Sequence, residues 1–200
     1  MEFDMITSVT EQSFLKDVRE HRMTVLHDTG LYRHLRFQKP GTRIGQFDIV
    51  TWPGHLSFTG DMGSYVFARL ADMLEFFRDG RSGSIQVNLA YWAEKCQAAD
   101  RDSGIKEYSA AKFREEIERW LDDGEATPEC RAEARSSVLV FADEGEYAAR
   151  SAAEGFEHEG FEFTDFWEAD CQEWTARYVW CCFALAWAVR QYDSGALQAA

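Results

Sequence analysis

Alternating apolar and polar residues fill the first third of this chain, and helical spacing dominates the rest. Phe14, Leu15 and Val18 follow a Thr and Ser start, which predicts a helix over about 11–22. MTVLHD then reads as a strand. In LYRHLRFQ, Leu31, Arg33, Leu35 and Phe37 fall on one parity and Tyr32, His34 and Arg36 on the other, the period of a half-buried strand. QFDIVTW is β-branched and aromatic, WPGH places Pro and Gly at the centre of a type II turn, and HLSFT pairs back. After GDMG the spacing changes from two to 3.6. Val66, Phe67, Leu70, Met73, Leu74 and Phe77 share one helical face from Tyr65 to about residue 78, with Gly80 as the stop.

Beyond residue 85 the spacing is helical, with candidates at 88–99, 108–122, 128–142 and 145–154. GFEHEGFEF alternates Phe with acid and fits a loop or a short extended piece. From Thr164 to Tyr192 there is no Gly or Pro, and Cys171, Trp174, Tyr178, Cys181, Leu185 and Ala188 recur every three or four residues. That run predicts one long helix, apolar nearly all round over 178–189, which closes either the chain's own core or a dimer. The expected fold is α+β: an N-terminal helix, a small, mostly antiparallel four-stranded sheet covered by a helix, then a helical half with a long C-terminal helix. A sheet region over 1–85 and an acidic helical region over 86–200, packed as one globular unit, follow from the same pattern.

Composition sharpens this outline. Fifteen Phe and seven Trp in 200 residues imply a substantial core. The longest apolar run, YVWCCFALAWAV, is too short to span a bilayer. The acidic MEFDMITSVTEQ does not resemble a secretory signal. The five cysteines, 96, 130, 171, 181 and 182, lack zinc-site spacing and read as buried thiols of a reducing cytosol. The net charge of −14 is uneven: residues 115–173 carry 19 acids and four bases. That field disfavours nucleic acid or an anionic membrane and suits a basic partner, although a solvated acidic surface is the commoner explanation of such a composition.

Chemistry is less legible. No P-loop, dinucleotide fingerprint, zincin or nucleophile-elbow motif occurs, and no cofactor or metal is called for. TGDMGS offers glycines before an expected helix, but Asp61 would repel a phosphate there. HLSF at 55–58 matches one tetrad of two-histidine phosphodiesterases, whereas HLRF at 34–37 carries Arg36 where the second tetrad needs a hydroxyl. An alternative nucleotide-binding or phosphodiesterase-type site is therefore centred on Arg33, His34, Arg36, His55 and Asp61. His27, Asp28 and Asp48 add a loose set of metal-ligand types.

The segment HRMTVLHDTGLYRHLRF…GT…FDIVTWPGHLSFTGDMGSYVFARLADMLEFFR, about residues 21–78, resembles a group of uncharacterised small proteins encoded by tailed bacteriophages and prophages. FDIVTWPGHLSFTGDMGSYVF is its most specific piece, and no catalytic residue is carried over from that group. The resemblance implies action in the cytoplasm of an infected bacterium. The leading expectation is then a non-enzymatic, anti-CRISPR-like inhibitor that binds a basic groove on a host protein or ribonucleoprotein complex. Its binding residues would be Glu115, Glu116, Glu118, Asp122, Asp123, Glu125, Asp143, Glu144, Glu146, Glu157, Glu159 and Glu162.

Overall fold

The computed structural model describes residues 9–78 and 83–199, with side chains through Gly195. In chain order the elements are α1 (Glu11–Val18), β1 (Arg22–Thr29), β2 (Tyr32–Gln38), β3 (Phe47–Trp52), β4 (His55–Gly60), β5 (Gly63–Ala68), α2 (Met73–Phe77), α3 (Leu89–Ala93), β6 (Cys96–Ala98), β7 (Lys106–Tyr108), α4 (Ala110–Asp123), α5 (Pro128–Ser137), α6 (Glu146–Glu154), β8 (Glu157–His158), β9 (Phe161–Glu162), β10 (Gln172–Trp174) and α7 (Ala176–Ala199). Two 3-10 turns lie at Leu139–Phe141 and Phe166–Glu168. The chain divides into two compact units, Met1–Ile105 with Trp174–Ala200, and Lys106–Glu173. The division thus falls at 105 and 173, not near 85, because α7 shares a core with the N-terminal sheet.

The first unit is built on a six-stranded antiparallel meander, β1 to β6 in sequence order. Strict alternation buries Leu35, Phe37, Phe47, Ile49, Leu56, Phe58, Tyr65 and Phe67 on one face. Phe37 stacks on Phe47 at 4.8 Å between ring centroids, and Phe47 on Phe58 at 5.2 Å, a ladder across three strands. Trp180 of α7 meets Phe47 edge-on at 5.6 Å, and Phe14 of α1 packs on Trp180 at 5.2 Å. Each fully buried Phe contributes about 1.5–3 kcal/mol. Residues 178–189 therefore close the chain's own core.

Three expectations are corrected. The sheet has six strands, not four. Residues 65–78 are not one helix: Ser64 to Ala68 alternate as β5, with Tyr65 and Phe67 inward, and only Met73–Phe77 is helical. Two periods placed end to end had imitated one, and Gly80 lies outside the described residues. GDMG is the two-residue tip of the β4–β5 hairpin, with Gly60 opposite Gly63, so no helix N-terminus stands there to hold a phosphate. The long helix starts at Ala176 rather than Thr164. Thr175 caps it by accepting from the Tyr178 amide at 3.2 Å, and Asp165 adopts a left-handed φ of 55°.

The second unit is mostly helical. α4 buries Phe113, Ile117 and Leu121 around Ala134, Ala149, Ala153, Phe163 and Phe166. Ser109 caps α4; Thr127 caps α5 ahead of Pro128 at its first turn. β8 and β9 form a hairpin through Glu159-Gly160, both at positive φ, as a type I′ turn requires. β7 and β10 pair where this segment leaves and re-enters the chain, with Ser109 N donating to Cys171 O at 2.9 Å.

Candidate functional site

Lys106–Glu173 holds 20 acidic and seven basic side chains, a net of −13 out of the chain's −14. The other unit is left at −1. Helical geometry sorts these carboxylates. Glu118 and Asp122 lie on the side of α4 that faces α5. Arg135 grips Glu118 bidentately at 3.0 and 3.1 Å, and Arg131 reaches Asp122 at 2.7 Å. Arg131 also donates to the Leu121 carbonyl at 2.9 Å, closing the end of α4. Arg119 pairs with Glu116, Arg114 with Asp143, and Arg150 with Glu146. Every arginine of the unit is thus committed to a carboxylate, and five of the twelve expected binding residues are internal struts.

The rest converge more narrowly. Among the described residues Glu115, Asp123, Glu125, Glu144, Glu157 and Glu159 make no ion pair, and Glu162 is met only by the Thr164 hydroxyl at 3.2 Å. The β8–β9 hairpin carries Glu157, Glu159 and Glu162. On one side of it Asp123 and Glu162 line a cleft of about 590 Å³ with Trp120 and Phe161. On the other, Glu133 and Glu157 line one of about 490 Å³ between α5 and α6 with Phe141 and Phe156. The hairpin is therefore the centre of an unneutralised carboxylate ridge. Glu115, Glu125, Glu144 and Glu159 line neither cleft. Glu133 was missed in the sequence because its partnership with Glu157 depends on how α5 meets the hairpin.

Besides Phe141 at the cleft, two aromatic side chains of the same unit are exposed rather than buried. Tyr147 is 78% exposed and Trp167 48%, with ring centroids 6.2 Å apart. Glu146, Glu168 and Asp170 line a depression beside Trp167. Large aromatics rimmed by charge are common anchors of protein interfaces. The sequence had hidden them, since Trp167 fits helical spacing and Tyr147 follows a glycine at the start of α6.

The alternative site comes apart. Register puts His34 and Arg36 on the uncovered face of the sheet, with Thr24, His27, Tyr32, Asp48, Val50, Trp52, His55 and Ser57, none of them buried. Arg36 binds Asp48 bidentately at 2.9 and 2.7 Å, and His34 Nε2 meets the same carboxylate at 2.8 Å. His55 lies two strands and two positions from His34, about 12 Å away at ordinary strand spacing, stacked on Trp52 at 5.1 Å. Arg33 points to the opposite face, where Asp72 holds it by two 2.9 Å bonds and Tyr192 covers it. Asp61 ties the β4–β5 tip to the Gly45 amide at 2.7 Å. Only His34 and Arg36 of the five are brought together. No three His, Cys, Asp or Glu side chains among the described residues group to hold a metal ion. All five cysteines are unbridged, and burial pushes their thiols up, that of Cys171 to about 11.

The Asp48 cluster has a measurable signature. Burial raises the Asp48 carboxyl, but hydrogen bonds from Arg36 and His34 outweigh it and leave the group below its ordinary value. Asp72 is lowered likewise, burial being outweighed by Arg33 and the Leu74 amide. A carboxyl lowered by folding stabilises above its unfolded value, near ~4, and that contribution is lost as pH falls through the folded value. Denaturant midpoints measured from about pH 5 to pH 2.5 should therefore drop, and Asp48→Asn should flatten part of the drop.

Comparison with family models, curated proteins and solved structures gave no match to this chain. Among the described residues no helix is long and apolar enough to cross a membrane.

Proposed function

We propose that this chain is a non-catalytic binding protein whose Lys106–Glu173 unit occupies a basic groove built for nucleic-acid phosphates. The carrying observation is the concentration of −13 charge in that unit, with the β8–β9 hairpin and its two flanking clefts left unneutralised. Carboxylates opposite Lys and Arg steer association and fix its register. Tyr147 and Trp167 add apolar area at low conformational cost. The resemblance of residues 21–78 to phage proteins supplies the setting: the cytoplasm of an infected bacterium, and inhibition of a defence complex of the CRISPR kind.

The test is capture from a bacterial lysate at low salt. The expected catch is a nucleic-acid-handling protein or ribonucleoprotein, released by salt and by competing duplex DNA or RNA. Reversing Asp123, Glu133, Glu157 and Glu162 together to Lys should weaken capture about a hundredfold or more, whereas Glu→Lys at the outlying Glu115 should matter little. Equal capture by the fourfold variant, or indifference to nucleic-acid competitors, sinks the reading.

A further inference from the structure

The sheet unit contains a cleft that the acidic segment does not explain. It holds about 450 Å³ and lies between α1, the β2–β3 loop, the β4–β5 tip and the start of α7. Trp180 lines its base, 3% exposed. Met62 and Ile44 supply apolar walls, and Ile44 is 69% exposed at the lip although the Thr42 hydroxyl pins its amide at 3.1 Å. A concave apolar site of this size with few polar groups has the form of a small-molecule pocket.

Its polar groups select the ligand's charge. Lys39 is held by Glu20 at 3.0 Å, and that hydrogen bond lowers the Glu20 carboxyl. His21 donates its Nε2 proton to the Gly45 carbonyl at 2.8 Å, which leaves its buried Nδ1 with no hydrogen-bond partner among the described residues. The Lys39 ammonium is therefore already paired. Asp17 is not: among the described residues its carboxylate meets no cation, only the neutral Trp180 indole N–H at 3.1 Å. The uncompensated charge in the cleft is negative. We infer that this cleft binds a primary ammonium carried on an apolar body, with Asp17 receiving the ammonium and Trp180, Met62 and Ile44 covering the hydrocarbon.

Phenethylammonium is a suitable probe, with phenethyl alcohol and 3-phenylpropionate as the neutral and anionic counterparts. The full chain is titrated while the Trp180 indole N–H resonance is followed by NMR. The amine should shift that resonance saturably, with a Kd on the order of 1 mM or tighter. Asp17→Asn should weaken binding about tenfold. Ile44→Ser lies on an exposed loop, and should weaken binding without touching the charge. The proposal is overturned by no saturable shift, by the alcohol or the anion binding as well as the amine, or by an unchanged Kd in both variants. None of these outcomes bears on the acidic hairpin.

Discussion

Arg150→Met should destabilise the Lys106–Glu173 unit by about 3–5 kcal/mol, the range for removing one partner of a buried charged network. The side chain is 6% exposed. Its Nη1 donates to the carbonyls of Phe166 and Trp167 at 3.1 and 3.2 Å, its Nη2 to that of Ala169 at 3.1 Å, and its Nε to Glu146 at 2.9 Å. Residues 164–171 contain only a short 3-10 turn; the guanidinium is a second donor to the Phe166 and Ala169 carbonyls, which also accept from the Ala169 and Cys171 amides, and it ties the Trp167 carbonyl into the same network. Methionine keeps most of the stem but removes all four donor contacts and leaves Glu146 without its ion pair. Because whole domains are stable by only about 5–15 kcal/mol, the loss should show as a large drop in the denaturation midpoint. Amide exchange should accelerate most around 164–171. Lysine cannot reproduce the planar fork and should recover only part of the loss.

The second large effect is expected at Gly60, where the end of β4 crosses β3. A Cβ there would stand 2.3 Å from the Gln46 carbonyl oxygen and 2.8 Å from Phe47 Cα. Both obstacles are backbone, so no side chain can swing aside. Gly60→Ala must push β3 and β4 apart at Phe47, which stacks on both Phe37 and Phe58. A cost of about 3 kcal/mol, the upper end of the overpacking range, follows because the backbone of the paired strand must move. Gly30 is the contrast: its φ is +61°, yet nothing lies within 4 Å of a new Cβ. Gly30→Ala should cost about 1 kcal/mol, from backbone preference alone. Equal losses at the two sites in urea denaturation would refute the close-approach argument.

Alternation made β2 to β4 legible, because a single buried face imposes a strict two-residue period that LYRHLRF and FDIVTW display openly. β5 was lost because Val66 and Phe67 fall in step with Met73 and Phe77 by accident of spacing. β6, three residues long, has no period to read. The break before α7 was invisible for a different reason. Asp165 takes the left-handed conformation that glycine usually signals, and Arg150, distant in sequence, supplies the hydrogen bonds a helix would have provided. At the candidate site the excess of carboxylates was countable from composition. Which of them survive as net charge depended on Arg131 and Arg135 reaching across from α5 to α4, an interhelical fact with no local trace.

The sheet and α7 are joined only after the chain has passed through β7, the whole of Lys106–Glu173 and β10. During synthesis the Phe37–Phe47–Phe58 stack must therefore wait for the 24-residue α7 before Trp180 can cover it. The inserted segment owns a separate hydrophobic cluster and can condense while the ribosome still holds the remainder. The stretch that shields the earliest strands thus emerges long after them, and any ribosomal pause in between prolongs the life of a sticky intermediate.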